Sequence, residues 1–117
     1  MILTLAFARC SQDDTWNLHG LWPDFSNGSW PSYCYDSTCD ILDNILPETD
    51  PRPYYPPCWQ ADDLICHEWL KHGTCWSDSE DPNDYFGSTI DMYEKYLDYI
   101  PENDNQLNYY IKNISIL

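Results

Sequence analysis

Apolar residues run almost unbroken from Ile2 to Ala8, interrupted only by Thr4, and this predicts a buried first β-strand over about residues 2 to 8. After a polar stretch, Thr15-Trp16-Asn17-Leu18-His19 alternates polar and apolar positions, which predicts a second strand ending at His19. Residues 24 to 38 are rich in Asp, Asn, Gly, Ser and Pro and read as a loop. Asp40 to Leu46 carries its apolar residues on one helical face and stops at Pro47, as a short helix would. Five prolines between 47 and 57 predict an extended loop without regular elements. A longer helix begins at about Asp62, with Asp62 and Asp63 in its first turn, Lys71 and His72 in its last, and Gly73 just beyond. Another spans about 84 to 99, where Ile90, Tyr93, Leu97 and Ile100 recur at helical spacing before Pro101, and this stripe reads as core. The tail from 102 is polar, then mildly β-like, and no repeat or linker breaks the chain, so 1–117 reads as a single domain.

Onto this framework the chain places its chemistry in two short segments, His19-Gly20-Leu21-Trp22-Pro23 and His67-Glu68-Trp69-Leu70-Lys71-His72-Gly73-Thr74-Cys75. They contain all 3 histidines of the protein and one of its 5 basic side chains. At about 100° per residue, His67, Lys71, Glu68 and His72 project within a span of about 140° on one side of their helix. Trp69 and Leu70 point the other way, into the body of the protein. Imidazole titrates nearest neutrality, so three imidazoles beside a carboxylate and an ammonium point to proton-transfer chemistry on an anionic substrate.

Charge narrows the class further. With 20 acidic against 5 basic residues, the formal net charge is -15, and protonating all three histidines brings it only to -12. A non-specific nucleic-acid binder neutralises many phosphates with Lys and Arg, which this chain cannot do. Affinity for a polyanion must therefore come from a local site, and an acidic compartment suits such a protein. No run of about 18 apolar residues exists to span a membrane. Met1 to Ala8 lacks a basic leader and is short for a signal core. A chain of 117 residues with 6 cysteines buries about two thirds of its unfolded surface, and staples would help it. Cysteine richness at this length, with the sequons at Asn27 and Asn113, predicts an exported, disulfide-bonded glycoprotein. Six cysteines allow 15 pairings, and spacing alone selects none.

The pair HGLWP and HEWLKHGTC resembles the two active-site segments of the T2 family of secreted acid ribonucleases. Asn27-Gly28-Ser29-Trp30-Pro31, Tyr54-Tyr55-Pro56 and Tyr85-Phe86-Gly87 extend the resemblance over most of residues 1 to 100. The family's domain continues further after the second motif, so a truncated or minimal domain is expected. The cysteine-bearing loop before the first motif is also shorter here. The resemblance implies an α+β fold, an antiparallel sheet packed by helices with His19 on a strand facing the second motif's helix. It also implies that Cys75 pairs with Cys34, or failing that with Cys39, and leaves Cys10 without its usual neighbour.

The activity so implied is endonucleolytic cleavage of single-stranded RNA by a monomer, without metal or cofactor, in a secreted, lysosomal or vacuolar setting. The 2′-hydroxyl attacks and a 2′,3′-cyclic phosphate forms, so DNA is spared. His19 and His72, on separate segments, form the acid and base pair, with the roles of the two left open. His67 and Lys71 hold the phosphate oxygens, and Glu68, four residues from His72, tunes that histidine or polarises the phosphate. Trp22 is either a core residue or, as the matching motif favours, stacks on a base, and Asp24 either accepts from a base edge or belongs to a solvated loop. Cys66 reads as half of a disulfide rather than a nucleophile.

Two rivals come from other classes. Cys58, Cys66, His67, His72 and Cys75 cluster as zinc ligands do, but His67 and His72 are spaced i, i+5 rather than the i, i+4 of zinc helices. The alternative function is a catalytically inactive secreted protein that uses the ribonuclease scaffold for binding.

Overall fold

The computed structural model describes residues 2–11, 14–24, 31–77, 80–101 and 106–115. Strands β1 (Ile2–Ala8), β2 (Asn17–Asp24) and β3 (Asn108–Ser115) form an antiparallel sheet in the order β2-β1-β3. Helices α1 (Ala61–Lys71) and α2 (Pro82–Tyr96) pack with it in an α+β arrangement, as the sequence predicts. β1 is the central strand, and every residue from Leu3 to Ala8 is buried. A strand enclosed on both faces has no use for alternation, which explains the unbroken apolar run.

Two bulges decide what faces where. Ala6 pairs with Gly20 while Phe7 pairs with Leu18, so His19 is an extra residue on β2 with no partner on β1. Leu21 pairs with Leu5 and Leu18 with Phe7, so the two leucines share one face even though three positions apart, an arrangement that a regular strand with its two-residue period cannot give. On the other side of β1, Leu3 pairs with Ile114 and Leu5 with Ile111, so Lys112 and Asn113 share the position opposite Thr4. Asn113 takes up the irregularity with φ 63°, a left-handed conformation that asparagine tolerates better than most side chains. Ile111 and Ile114 thereby both reach the core.

The core gathers Leu3, Leu5 and Phe7 of β1, Leu18 and Leu21 of β2, Trp69 of α1, and Tyr85, Phe86 and Tyr93 of α2. Two buried phenols bind the layers together. Tyr85 Oη donates to the carbonyl of Leu21 at 2.6 Å, and Tyr93 Oη to that of Trp16 at 2.8 Å. Ile90, Tyr93 and Ile100 of the predicted stripe are all buried, and α2 starts with Pro82 behind an Asp81 cap that accepts from Asn83 N.

Several boundaries differ from expectation. The second strand does not end at His19 but runs through the whole motif to Asp24, with Pro23 tolerated because β2 lies at the sheet's edge among the described residues. The short helix is a 3-10 helix over Cys39–Asn44. The proline-rich stretch is not devoid of structure, since Pro47–Thr49 and Arg52–Tyr54 each form a 3-10 turn with proline preset in its first residues. The α2 region changes to a 3-10 turn at Leu97–Tyr99.

Disulfides join Cys34 to Cys75, Cys39 to Cys66, and Cys10 to Cys58. The first is the pairing the resemblance favours, and the third supplies Cys10 with a distant partner. Asn27 lies outside the described residues, whereas Asn113 is exposed on β3.

Candidate active site

Helix α1 is oriented by its buried side. Trp69 is fully buried and its indole N–H donates to Ser37 Oγ at 3.0 Å, while Leu70 packs against the core. The opposite side then presents His67, Glu68, Lys71 and His72 to the sheet face that carries Thr4, Trp22 and Asp24. The cleft between them holds about 730 Å3 and is lined by all of these together with His19, Tyr110, Lys112 and Asn113.

Glu68 is the hub of the cleft. Its side chain is 1% exposed, and it lies 3.6 Å from His19 Nε2 through Oε1 and 3.6 Å from His72 Nε2 through Oε2. Trp22 Nε1 donates to Oε2 at 3.0 Å. The Trp22 ring stacks on His72, with centroids 5.1 Å apart and planes 22° apart, and meets His19 edge-on at 5.0 Å. Gly20 is required here by space: a Cβ would stand 2.6 Å from both Glu68 Oε2 and Trp22 Nε1, within the hydrogen bond that joins them.

Such distances resemble two ion pairs, but burial opposes charge on all three groups. Desolvation raises Glu68 to about 8. It lowers His19 to about 4 and His72 to about 3, with nearby cations adding to the effect. His67, more exposed, is lowered by the same causes, first burial and then Lys71. We therefore read Glu68 as a neutral acid at mildly acidic pH, between two neutral imidazoles. His19 Nδ1, His72 Nδ1 and Glu68 Oε1 are all buried and find no hydrogen-bond partner among the described residues. Orphaned polar atoms concentrated in one cleft mark a place where the fold sacrifices stability for chemistry.

A titration prediction follows from Glu68. Its folded pKa is raised above its ordinary 4.5, so the stability it contributes is present below that value and is lost as pH rises toward about 8. The two histidines act in the other direction, costing stability only as pH falls below 6.5. Glu68→Gln should therefore gain stability on the wild type as pH goes from 5 to 8, by a few kcal/mol at about 1.4 kcal/mol per pKa unit. Denaturant unfolding at the two pH values checks this, and an identical difference at both would refute the neutral-acid reading.

All seven residues singled out in the sequence meet in this cleft. Trp22 is engaged with Glu68 and both histidines, and Asp24 accepts from Thr4 Oγ1 at 2.7 Å. Sequence reasoning missed Trp59, whose ring meets His19 edge-on at 5.0 Å. It also missed Tyr110, 5.9 Å from Trp22, and Lys112. Trp59 sits among prolines and the other two in a tail without strong periodicity, so only the Cys58 staple and the β3 pairing bring them in. Cys58, Cys66 and Cys75 are all in disulfides, which leaves the zinc alternative no thiolate.

A strand and a helix bring three histidines, a carboxyl group and a lysine to one cleft, groups that can move protons beside an anion. The sequence profile described as the Ribonuclease T2 family matches residues 4–112, and the chain belongs to that family. Ribonuclease T2 of Sus scrofa is 38% identical over 93 residues, covering 70% of this chain and 43% of the relative. Ribonuclease T2 of Homo sapiens is 35% identical over 92 residues, covering 70% and 33% respectively. Among solved structures, RNase NT in complex with 5'-AMP is similar at a TM-score of 0.58 and 26% identity, with 82% of this chain and 57% of that one covered. Human RNase T2 is similar at 0.54 and 26%, with 80% and 56% covered. The chain thus spans less than half the length of these two sequence relatives.

Proposed function

We propose that the protein is a metal-independent endoribonuclease that cleaves single-stranded RNA by transesterification. The observation that carries this reading is the placement of His19 and His72 on either side of Glu68, with Lys71 and His67 at the same cleft. One imidazole takes the proton of the 2′-hydroxyl, and O2′ attacks phosphorus. The bond to O5′ breaks as the other imidazole donates a proton to that oxygen, leaving a 2′,3′-cyclic phosphate and a 5′-hydroxyl. Lys71 and His67 hold the non-bridging oxygens, and the neutral Glu68 carboxyl adds a donor where charge develops. Trp22 and Asp24 flank the site as base contacts. Trp22 also serves as the positioning residue of Glu68, and Trp59 as that of His19.

Both buried imidazoles titrate below the ordinary histidine range, so a neutral and a protonated partner coexist in acid. An anionic phosphate raises both values, and a bell-shaped profile on the acidic side of neutrality is the result. A secreted, lysosomal or vacuolar location agrees with that acid chemistry.

The deciding experiment is digestion of single-stranded RNA at about pH 5 in excess EDTA, with product ends analysed and a matching DNA strand alongside. Cyclic-phosphate ends from RNA and intact DNA support the reading. A folded, oxidised sample that leaves RNA uncut would favour the non-catalytic scaffold.

A further inference from the structure

Resting on the ribonuclease reading, we propose that β3 forms a second nucleotide subsite, in which Lys112 holds the phosphate next to the scissile one and Tyr110 stacks on the adjoining base.

Lys112 stands two residues after Tyr110, so strand alternation puts both on the cleft face, and the bulge opposite Thr4 adds Asn113 there with its left-handed backbone. With regular pairing, residues 111 and 114 would face opposite sides of the sheet. The extra residue sends Ile111 and Ile114 to the core and leaves Lys112 and Asn113 lining the cleft. Few cations are available to this acidic protein, and most are engaged elsewhere. Arg52 is bound by Asp50 and Asp62, Arg9 lies over Trp16, and Lys95 lies over Tyr96. Lys71 and Lys112 are the two basic side chains, other than histidine, that line the cleft, and neither makes an ion pair among the described residues. Lys71 belongs to the reaction centre on α1. Lys112 lies on β3, on the other side of β1 from the strand that carries Trp22.

Tyr110 completes the subsite. It is 43% exposed, and its ring lies 5.9 Å from that of Trp22 at 43°, an aromatic surface open to the cleft. Exposed aromatics beside a phosphate-binding cation are how single strands are held without long-range attraction. An edge-strand lysine can instead serve only to deter strand pairing, and the test separates the two roles.

The test measures binding of a 2′-O-methyl tetranucleotide, which lacks the attacking hydroxyl, across a salt series, with the single-phosphate dinucleotide as control. Lys112→Met should lower the log-log salt slope for the tetranucleotide by about 0.7, the contribution of one phosphate contact on a single strand. Binding of the 2′-O-methyl dinucleotide should be unchanged. Tyr110→Ala should weaken the tetranucleotide about 5-fold or more at every salt concentration. Unaltered tetranucleotide binding in Lys112→Met would overturn the subsite, as would an equal loss on both ligands. Unfolding midpoints matching the wild type confirm that the exposed substitutions leave the fold intact. The parent reading fails separately: a wild type that binds the tetranucleotide with the Lys112-dependent slope yet cuts no RNA keeps the subsite and loses the catalysis.

Discussion

His72→Ala should reduce cleavage of single-stranded RNA at acidic pH by about 10²- to 10⁴-fold, the usual contribution of one positioned acid or base. The residue is buried, stacked on Trp22 and directed by Nε2 at Glu68, so in the proposed reaction little else can replace it. Water admitted to the vacated space cannot be both held and protonated as the imidazole is. Single-turnover rates on a short RNA, with unfolding midpoints measured beside them, separate lost chemistry from lost structure. His19→Ala should fall to a similar residual rate, and the double variant should lose little more, because an acid-base pair acts as a unit. Full additivity of the two losses would show that the histidines do not share one reaction.

Reduction of the disulfides should unfold the protein. The three bridges span 48, 41 and 27 residues, and in the chain-entropy picture each contributes roughly 4 kcal/mol by restricting the unfolded chain. Small domains are stable by only about 5–15 kcal/mol in total. Here the core carries an additional burden, a buried Glu68 and two desolvated histidines. Near-ultraviolet circular dichroism, reporting the tryptophans and tyrosines, should collapse on adding dithiothreitol at 25 °C. Retention of that signal in fully reduced protein would mean that the packing of β1 with α2 is sufficient alone.

Much of this protein is legible residue by residue. The buried β1, the boundaries of α1, the core stripe of α2 and the Cys34–Cys75 pairing all emerged as expected, the last from resemblance. So did the common side of α1, because 3.6-residue geometry places His67, Glu68, Lys71 and His72 together whatever surrounds the helix. Local rules misjudged β2, because alternation ceases at the bulge and resumes beyond it. Nothing in Leu18-His19-Gly20-Leu21 shows that two leucines three apart lie on one face until the pairing with Ala6 and Phe7 is known.

By itself, then, the sequence determined the chemical inventory: three imidazoles, a carboxyl group and a lysine in two segments, a scarcity of other cations, and six cysteines. Those are properties of composition and short-range spacing. Only the tertiary structure decided that Trp22 donates to Glu68, that Trp59 abuts His19, that Cys10 finds Cys58, and that Lys112 and Tyr110 line the same cleft. Each of these joins residues distant in the chain through a strand register, a bulge or a disulfide. Register is set by which whole faces can be buried together, so no local stretch contains the information.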